Sequence, residues 1–503
     1  MKAFFFMILL LSEMCMAATI SVAEHIIDDP FMPKASTESA HYKKLEYPAR
    51  EDYDFYRAIG LLQGICSSSF IKTSNDPSAP AYLLSAGHCV QDLDALADNS
   101  VVIDKPVEFS AAFNNFVDTQ DDRILVNIDQ IAYSTMKGMD ISILRTDKTI
   151  GELQALNLQA FTLSRRVPVN GEGTVVAGMP NADPLMIDRC TVTGRVDLLE
   201  GIFHFNDFLE NTCVLIGGMS GGPSFSAATD GQPTELVAVS STGADERIWL
   251  GTPCHINKPC VGRPEGFVQA NNHSYIVPVA GIQDCFDSQG LFQLSHAGCP
   301  LPTPTGLIIE NHPVEITGAS AASENQTWNF TPQHPSGGLK VKMIDVRGAS
   351  DTCKSMTGYT PVVLPGFDPR LEQIPVHKEG IYQYCLLPAD SPTATAVDVI
   401  MVKVDNTPSA VQPDVRVLPG TDNAVKIFYS YILNENSNFY SAYGPLDSFV
   451  CPVVGSGSYE IVAQMTFVDV PYPRVKVCSY LEDSALNKGV LYELDYPPDG
   501  AKK

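Results

Sequence analysis

Over residues 53–299 the apolar residues come in runs too short for anything but strands: AIGLL, YLLSA, ILVNI, ISIL, TVVAG and ELVAV, separated by Gly, Pro, Asn and Asp. That pattern predicts an all-β fold. Helical recurrence of apolar positions is scarce, and a short helix is expected only near 277–286. A chain of 503 residues exceeds what one hydrophobic core serves, so several domains are expected. The stretch PLPTPTG, 300–306, lacks a backbone donor at three prolines and reads as a stiff linker. Beyond it, GIYQYCLLPADS around Cys385 aligns without gaps against RVKVCSYLEDS around Cys478, sharing a Cys-x4-Asp-Ser core. We therefore expect tandem β-sandwich domains over 306–406 and 414–498, joined near NTPSAVQPD, with one disulfide each, Cys353–Cys385 and Cys451–Cys478.

The N-terminal residues place one Lys before a nine-residue apolar run and then small residues, the layout of a secretory signal peptide over 1–18. Cleavage after Ala17 or Ala18 is expected, with Ala23 as an alternative, and 19–52 is left as an N-terminal segment or pro-region. The run is too short to span a bilayer. Met14 is bulky for a lipid-attachment site at Cys15, so the plain signal-peptide reading is preferred. Thirteen cysteines are odd in number, and removal of Cys15 leaves twelve, which in an exported chain implies disulfides and an extracellular or periplasmic location. No CxxC or Cys/His set has zinc spacing, so neither a metal nor another cofactor is expected. A net charge of −25 argues against nucleic-acid or anionic-membrane partners, which need a basic surface.

Three islands carry the chemistry. In ICSSSFIKTSNDPSAPAYLLSAGHCV, His88 ends a strand-like run, and Cys89 can close back onto Cys66 to pin the histidine loop, which a general base requires. In MDISILRT, Asp140 stands at the mouth of an apolar strand, where a buried carboxylate can hold an imidazole's tautomer. In GGMSGGPSF, Ser220 sits among glycines that permit a sharp turn and let the Gly218 and Ser220 amides converge on an oxyanion. Singly, these residues read as scaffold, turn and loop. Their joint order makes the triad His88, Asp140 and Ser220 the stronger reading.

With these motifs the sequence resembles the trypsin/chymotrypsin family: SAGHC matches its TAAHC box, MDISIL its aspartate strand, and GMSGGP its GDSGGP box. The resemblance covers roughly half the chain, and implies a chymotrypsin-like protease domain over 53–299, with two six-stranded β-barrels and the triad in the cleft between them. Secreted bacterial proteases with appended immunoglobulin-like sandwich domains look similar, which makes a bacterial source the expectation.

The departures concern activation and specificity. Met219 stands where the family's zymogens have the Asp that pairs with a new N-terminal amine, so that switch should be absent or rebuilt. Arg57 with the following AIG is too close to Cys66 to be an activation site; activation, if any, would remove residues within 25–50. Six residues before Ser220, where trypsin has a pocket-floor Asp, stands Val214, which offers a cation no partner. Cys213 differs from the family's usual placement, and pairing with Cys190 is expected. Ser241, Thr242 and Gly243 replace the family's Ser-Trp-Gly wall and are expected to bind substrate backbone. His204, His255 and His273 read as surface histidines, Asn272, Asn325 and Asn329 lie in N-x-S/T triplets, and Cys254–Cys260 and Cys285–Cys299 read as local staples.

The function expected is secreted serine endopeptidase acting on protein or peptide substrates, not Lys/Arg-specific. The rivals are a catalytically weak homologue serving as an adhesin or binding protein, and an esterase built on the same triad. The C-terminal domains are expected to bind substrate or a surface.

Overall fold

The computed structural model describes residues 43–44, 51–90, 101–201, 203–227, 233–244, 254, 258–263, 266–270, 273–310, 316–323, 331–333, 338–346, 353, 355–363, 377–391, 397–408, 412–420, 424–430, 436–463 and 466–497. The chain divides into the units Met1–Lys43 and Lys44–Lys503, and every element from Glu51 onward belongs to the second. The expected signal peptide, the rest of the N-terminal segment to residue 50, His255, Asn272, Asn325 and Asn329 lie outside the described residues.

After a two-residue strand, β1 (Lys43–Lys44), the chain forms β2 (Ile59–Leu62), β3 (Cys66–Ile71), β4 (Pro80–Ser85), β5 (Val101–Phe113), β6 (Ile124–Thr135) and β7 (Ile141–Thr149). The six strands from β2 to β7 close a barrel in the order β2-β3-β4-β7-β6-β5. Strands β2 and β3 are buried along their whole length. The buried serines of β3 are covered too, and the Ser67 and Ser68 hydroxyls donate to Gly218 O and Gly60 O.

A second set comprises β8 (Gly173–Gly178), β9 (Met186–Glu200), β10 (Phe203–Asn211), β11 (Pro223–Ala227), β12 (Pro233–Ala244), β13 (Cys260–Arg263), β14 (Gly266–Gln269) and β15 (His273–Pro278). Pairing runs β10-β15-β12-β11-β8-β9, and β9 also pairs with β10. That last pairing returns the path to its start, so these six strands also form a closed circuit. One apolar cluster, from Ile59 and Phe70 to Phe225 and Val277, runs through both barrels. The helix expected near 277–286 is instead the end of β15 followed by a 3-10 turn, Ile282–Cys285. Pro278 leads out of the strand, and Gly281 takes φ +89°, a left-handed value that glycine accommodates without strain.

The C-terminal part continues in strands. A short pair, β16 (Ile308–Glu310) and β18 (Thr331–Gln333), is antiparallel. Five others, β17 (Ile316–Thr317), β19 (Gly338–Asp345), β20 (Thr360–Val363), β21 (Gly380–Pro388) and β22 (Asp398–Val404), form one sheet in the order β17-β22-β21-β19-β20. The last part packs two sheets face to face. One holds β23 (Val415–Pro419), β24 (Val425–Tyr429) and β27 (Thr466–Val470); the other holds β25 (Asn436–Pro445), β26 (Glu460–Ile461), β28 (Val475–Asp483) and β29 (Tyr492–Tyr496). Val415, Ile427, Tyr429, Phe439, Val475 and Leu481 are among the buried side chains between them. All twelve cysteines beyond Cys15 are joined: Cys66–Cys89, Cys190–Cys213, Cys254–Cys260, Cys285–Cys299, Cys353–Cys385 and Cys451–Cys478.

The prolyl stretch 300–306 is anchored along its length: Leu301 is buried in the barrels' core, and the Tyr133 hydroxyl donates to Pro302 O at 2.9 Å. One surface expectation fails. His204 is buried, not on the surface: its Nδ1 lies 2.7 Å from Gln383 Nε2 of β21. Around that contact Leu199, Cys254 and Cys260 of the barrel region share an apolar cluster with Ile344, Ile381, Cys385 and Met401.

Candidate active site

Where β4 ends, a single 3-10 turn, Gly87–Cys89, presents His88, and the Cys66–Cys89 disulfide fixes that turn to β3. Gly87 is required there, since a Cβ would stand 2.2 Å from Thr135 O and 3.1 Å from Asp140 Oδ1. Asp140 precedes β7 and reaches His88 twice. Its Oδ1 accepts the His88 amide at 2.9 Å, and its Oδ2 lies 2.7 Å from His88 Nδ1. The Asp140 side chain is 1% exposed and that of His88 is 30% exposed, so the pair has one sealed end and one open to a ligand. Ser241 Oγ donates to Asp140 Oδ2 at 2.6 Å. Ser241, expected to bind substrate backbone, thus supports the carboxylate with its side chain.

Burial opposes charge on both groups, and the attraction between them prevails. The His88 pKa is raised above its ordinary value despite burial, by the charge and hydrogen bond of Asp140 and by the charge of Glu200. The Asp140 pKa is lowered despite burial, by His88 and by the hydrogen bond from Ser241. A pair of this kind favours imidazolium next to carboxylate.

Ser220 sits in a turn made by Gly218 at φ +93° and Gly221 at φ +79°. A Cβ on Gly221 would fall 2.1 Å from both Ser67 O and Ser85 Oγ, so the turn lies directly on the first barrel. Ser67 is its main anchor: its amide donates to Ser220 O at 2.7 Å, and its hydroxyl donates to Gly218 O and accepts from Met179 N, both at 2.9 Å. Among the described residues no acceptor takes up the Gly218 or Ser220 amide. The Ser220 hydroxyl donates to Ser241 O at 3.3 Å. Met219 is fully buried behind the turn, packed against Gly178.

Val214 is half-buried in the segment leading to the turn. Beside it, the Ser274 hydroxyl accepts from Leu215 N and donates to Cys213 O, both at 2.7 Å. A Cβ on Gly243 would lie 3.3 Å from Leu215 Cβ and from Ser274 Oγ, so Gly243 packs closely on both. Thr242 Oγ1 donates to Glu200 Oε1 at 3.0 Å. Ser67 and Glu200 were not legible as site residues. Ser67 lies in a plain strand-like CSSSF run, and Glu200 closes an ordinary strand; only barrel closure brings them here.

Two groupings of described residues put three ligand-type atoms together, Cys66–His88–Cys89 and Asp188–Cys190–Cys213. In both, the sulfurs are consumed in disulfides, so no thiolate is available to a cation.

No curated protein matches the chain. Among solved structures, the chain is similar to the MamO protease domain of Magnetospirillum magneticum (15% identity, 45% of this chain and 94% of that one, TM-score 0.29). It is also similar to protease Anisep of Arthrobacter nicotinovorans (14%, 44% and 90%, TM-score 0.28), and to the human heparin binding protein (12%, 48% and 92%, TM-score 0.31). Residues 67–238, which hold His88, Asp140 and Ser220, match the family model for the trypsin-like peptidase domain.

Proposed function

We propose that the protein is a secreted serine endopeptidase with His88, Asp140 and Ser220 as its catalytic triad. The observation that carries this is the hydrogen-bonded series Ser241–Asp140–His88 beside a serine turn whose Gly218 and Ser220 amides no described residue engages. The Ser220 hydroxyl swings from Ser241 O toward His88 Nε2 and attacks the scissile carbonyl as His88 takes its proton. The two amides hold the resulting oxyanion. His88 then passes the proton to the leaving amine as the C–N bond breaks, and a water activated by His88 releases the acyl group from Ser220. Asp140 holds Nδ1 protonated and stabilises the imidazolium throughout.

The six disulfides suit an oxidising compartment, extracellular or periplasmic. Met219 buried behind the turn supports a serine turn held by packing rather than by an amine–carboxylate pair. An apolar Val214 at this position offers a cation no partner and disfavours Lys or Arg at the cleaved bond. The C-terminal domains serve to bind substrate or a surface.

A fluorophosphonate probe tests the chemistry: labelling of the wild type and its loss in Ser220→Ala support it, whereas an unlabelled wild type makes the chain a binding protein. Cleavage-site profiling on a peptide library tests specificity, and cuts after Lys or Arg would overturn that part.

A further inference from the structure

The carboxylate that His88 uses is carried by the short segment from Thr135 to Asp140. It is the floor of the histidine turn, since Gly87 packs on both Thr135 O and Asp140 Oδ1 with no room for a methyl group. The segment turns at Gly138, φ +69°, and is tied down on two sides. On one, the Gly138 carbonyl accepts from Asn206 N of β10 at 2.8 Å. On the other, the tie leaves the peptidase domain: Lys137 Nζ lies 2.6 Å from Asp398 Oδ1, at the first residue of β22. Both side chains are largely covered, 10% and 16% exposed. The second oxygen of Asp398 accepts from Thr305 Oγ1, so the carboxylate is engaged on both sides.

An ammonium covered to this extent holds its place only while paired. Removing its partner leaves a desolvated charge, which is relieved by moving the lysine, and the turn with it, toward water. The adjoining hairpin is held by the same sheet, through Gln383 on His204 and through Leu199 in the shared apolar cluster. Glu200, next to Leu199, meets Thr242.

We propose that the sheet carrying β21 and β22 is part of the catalytic unit, with Asp398 a positioning residue that acts on Asp140 through Lys137. This rests on the reading of His88, Asp140 and Ser220 as the reacting machinery. The expected signature is a loss in turnover without a loss in substrate binding, because the pair touches no substrate and a displacement of about 1 Å can cost on the order of 10²-fold in rate.

The test uses the full chain with Asp398→Asn, Lys137→Met and Lys137→Arg, measuring kcat, KM and amide hydrogen exchange over residues 136–141. Asp398→Asn and Lys137→Met are expected to lower kcat by about ten-fold or more while KM moves less than about two-fold. Exchange in the segment should quicken, and Lys137→Arg, which keeps the pair, should restore most of the turnover. If Asp398→Asn does not fold, Thr305→Val, which removes only one support of the carboxylate, is expected to shift kcat and exchange in the same direction by less. Unchanged exchange and kcat in the variants, or a change confined to KM, would overturn the proposal. A wild type that no phosphonate labels would sink the catalytic reading alone, and the exchange measurement would still decide whether Asp398 holds the segment.

Discussion

Asp140 accepts three hydrogen bonds, two from His88 and one from Ser241, and the last is the one that sequence does not announce. A hydrogen bond to a buried charge is worth roughly 1.5–3 kcal/mol. Ser241→Ala should therefore lower kcat/KM by about ten-fold while leaving Ser220 reactive toward a phosphonate, which steady-state kinetics and labelling measure separately. On the proposed mechanism, the raised pKa of His88 sets the acid side of the activity profile. Below that pKa the imidazole is already protonated and cannot accept the Ser220 proton, so kcat/KM should fall on an acid limb centred above 6.5, the ordinary imidazole value. Glu200→Gln removes one of the charges that favour the proton and should move the limb to lower pH; a limb that stays put would exclude Glu200 from this role. For stability the signs differ between partners. The raised His88 pKa contributes in full below the unfolded imidazole value and is lost as pH rises through the folded one. The lowered Asp140 pKa contributes above the unfolded carboxyl value and is lost as pH falls through the folded one.

The serine turn gains its shape from elements on both barrels. Gly221 at φ +79° leaves no room for a Cβ, and the clashing atoms are a backbone oxygen and the Ser85 hydroxyl, itself bonded to Ser67 O at 2.7 Å. Gly221→Ala should displace the turn, abolish phosphonate labelling and lower the melting temperature. Labelling at the wild-type rate would show that the turn tolerates the shift. Glycines around Ser220 could be read from the local sequence as the requirement for a sharp turn, because backbone sterics are local. What the turn rests on could not, because Ser67 lies in a different strand and its three hydrogen bonds to Ser220, Gly218 and Met179 exist only once the barrels meet. His204 shows the same limit: the sequence reads it as a surface histidine in a loop, whereas it stands in β10, covered by Gln383 of β21 and by Phe267. Short apolar runs were enough for an all-β fold, since period and length act within each run, whereas Pro278 and Gly281 replaced the expected helix near 277–286 by a strand end and a single turn.

At the scale of the molecule, the barrel region and the sheet of β17 and β19–β22 share an apolar cluster that includes two disulfides, Cys254–Cys260 and Cys353–Cys385. Elements that share a core should unfold together. Calorimetry is expected to show one transition for both, and Leu199→Ala should lower that joint transition, at a cost of roughly 2–5 kcal/mol. Two separate transitions, with only one moved, would mean that the cluster does not couple them. The repeat of Cys-x4-Asp-Ser pointed to two related C-terminal modules, yet nothing in either copy distinguished the one that meets the peptidase domain, because Lys137 and Asp398 become partners only in the folded chain. The packed prolyl stretch has a final consequence. A peptidase working among many copies of itself exposes each of its own junctions to attack, and cleavage requires several residues to open into an extended strand. With Leu301 sunk in the core, Pro302 held by Tyr133 and Thr305 bonded to Asp398, this junction is expected to resist cleavage until it unfolds, which limited proteolysis of the folded chain would check.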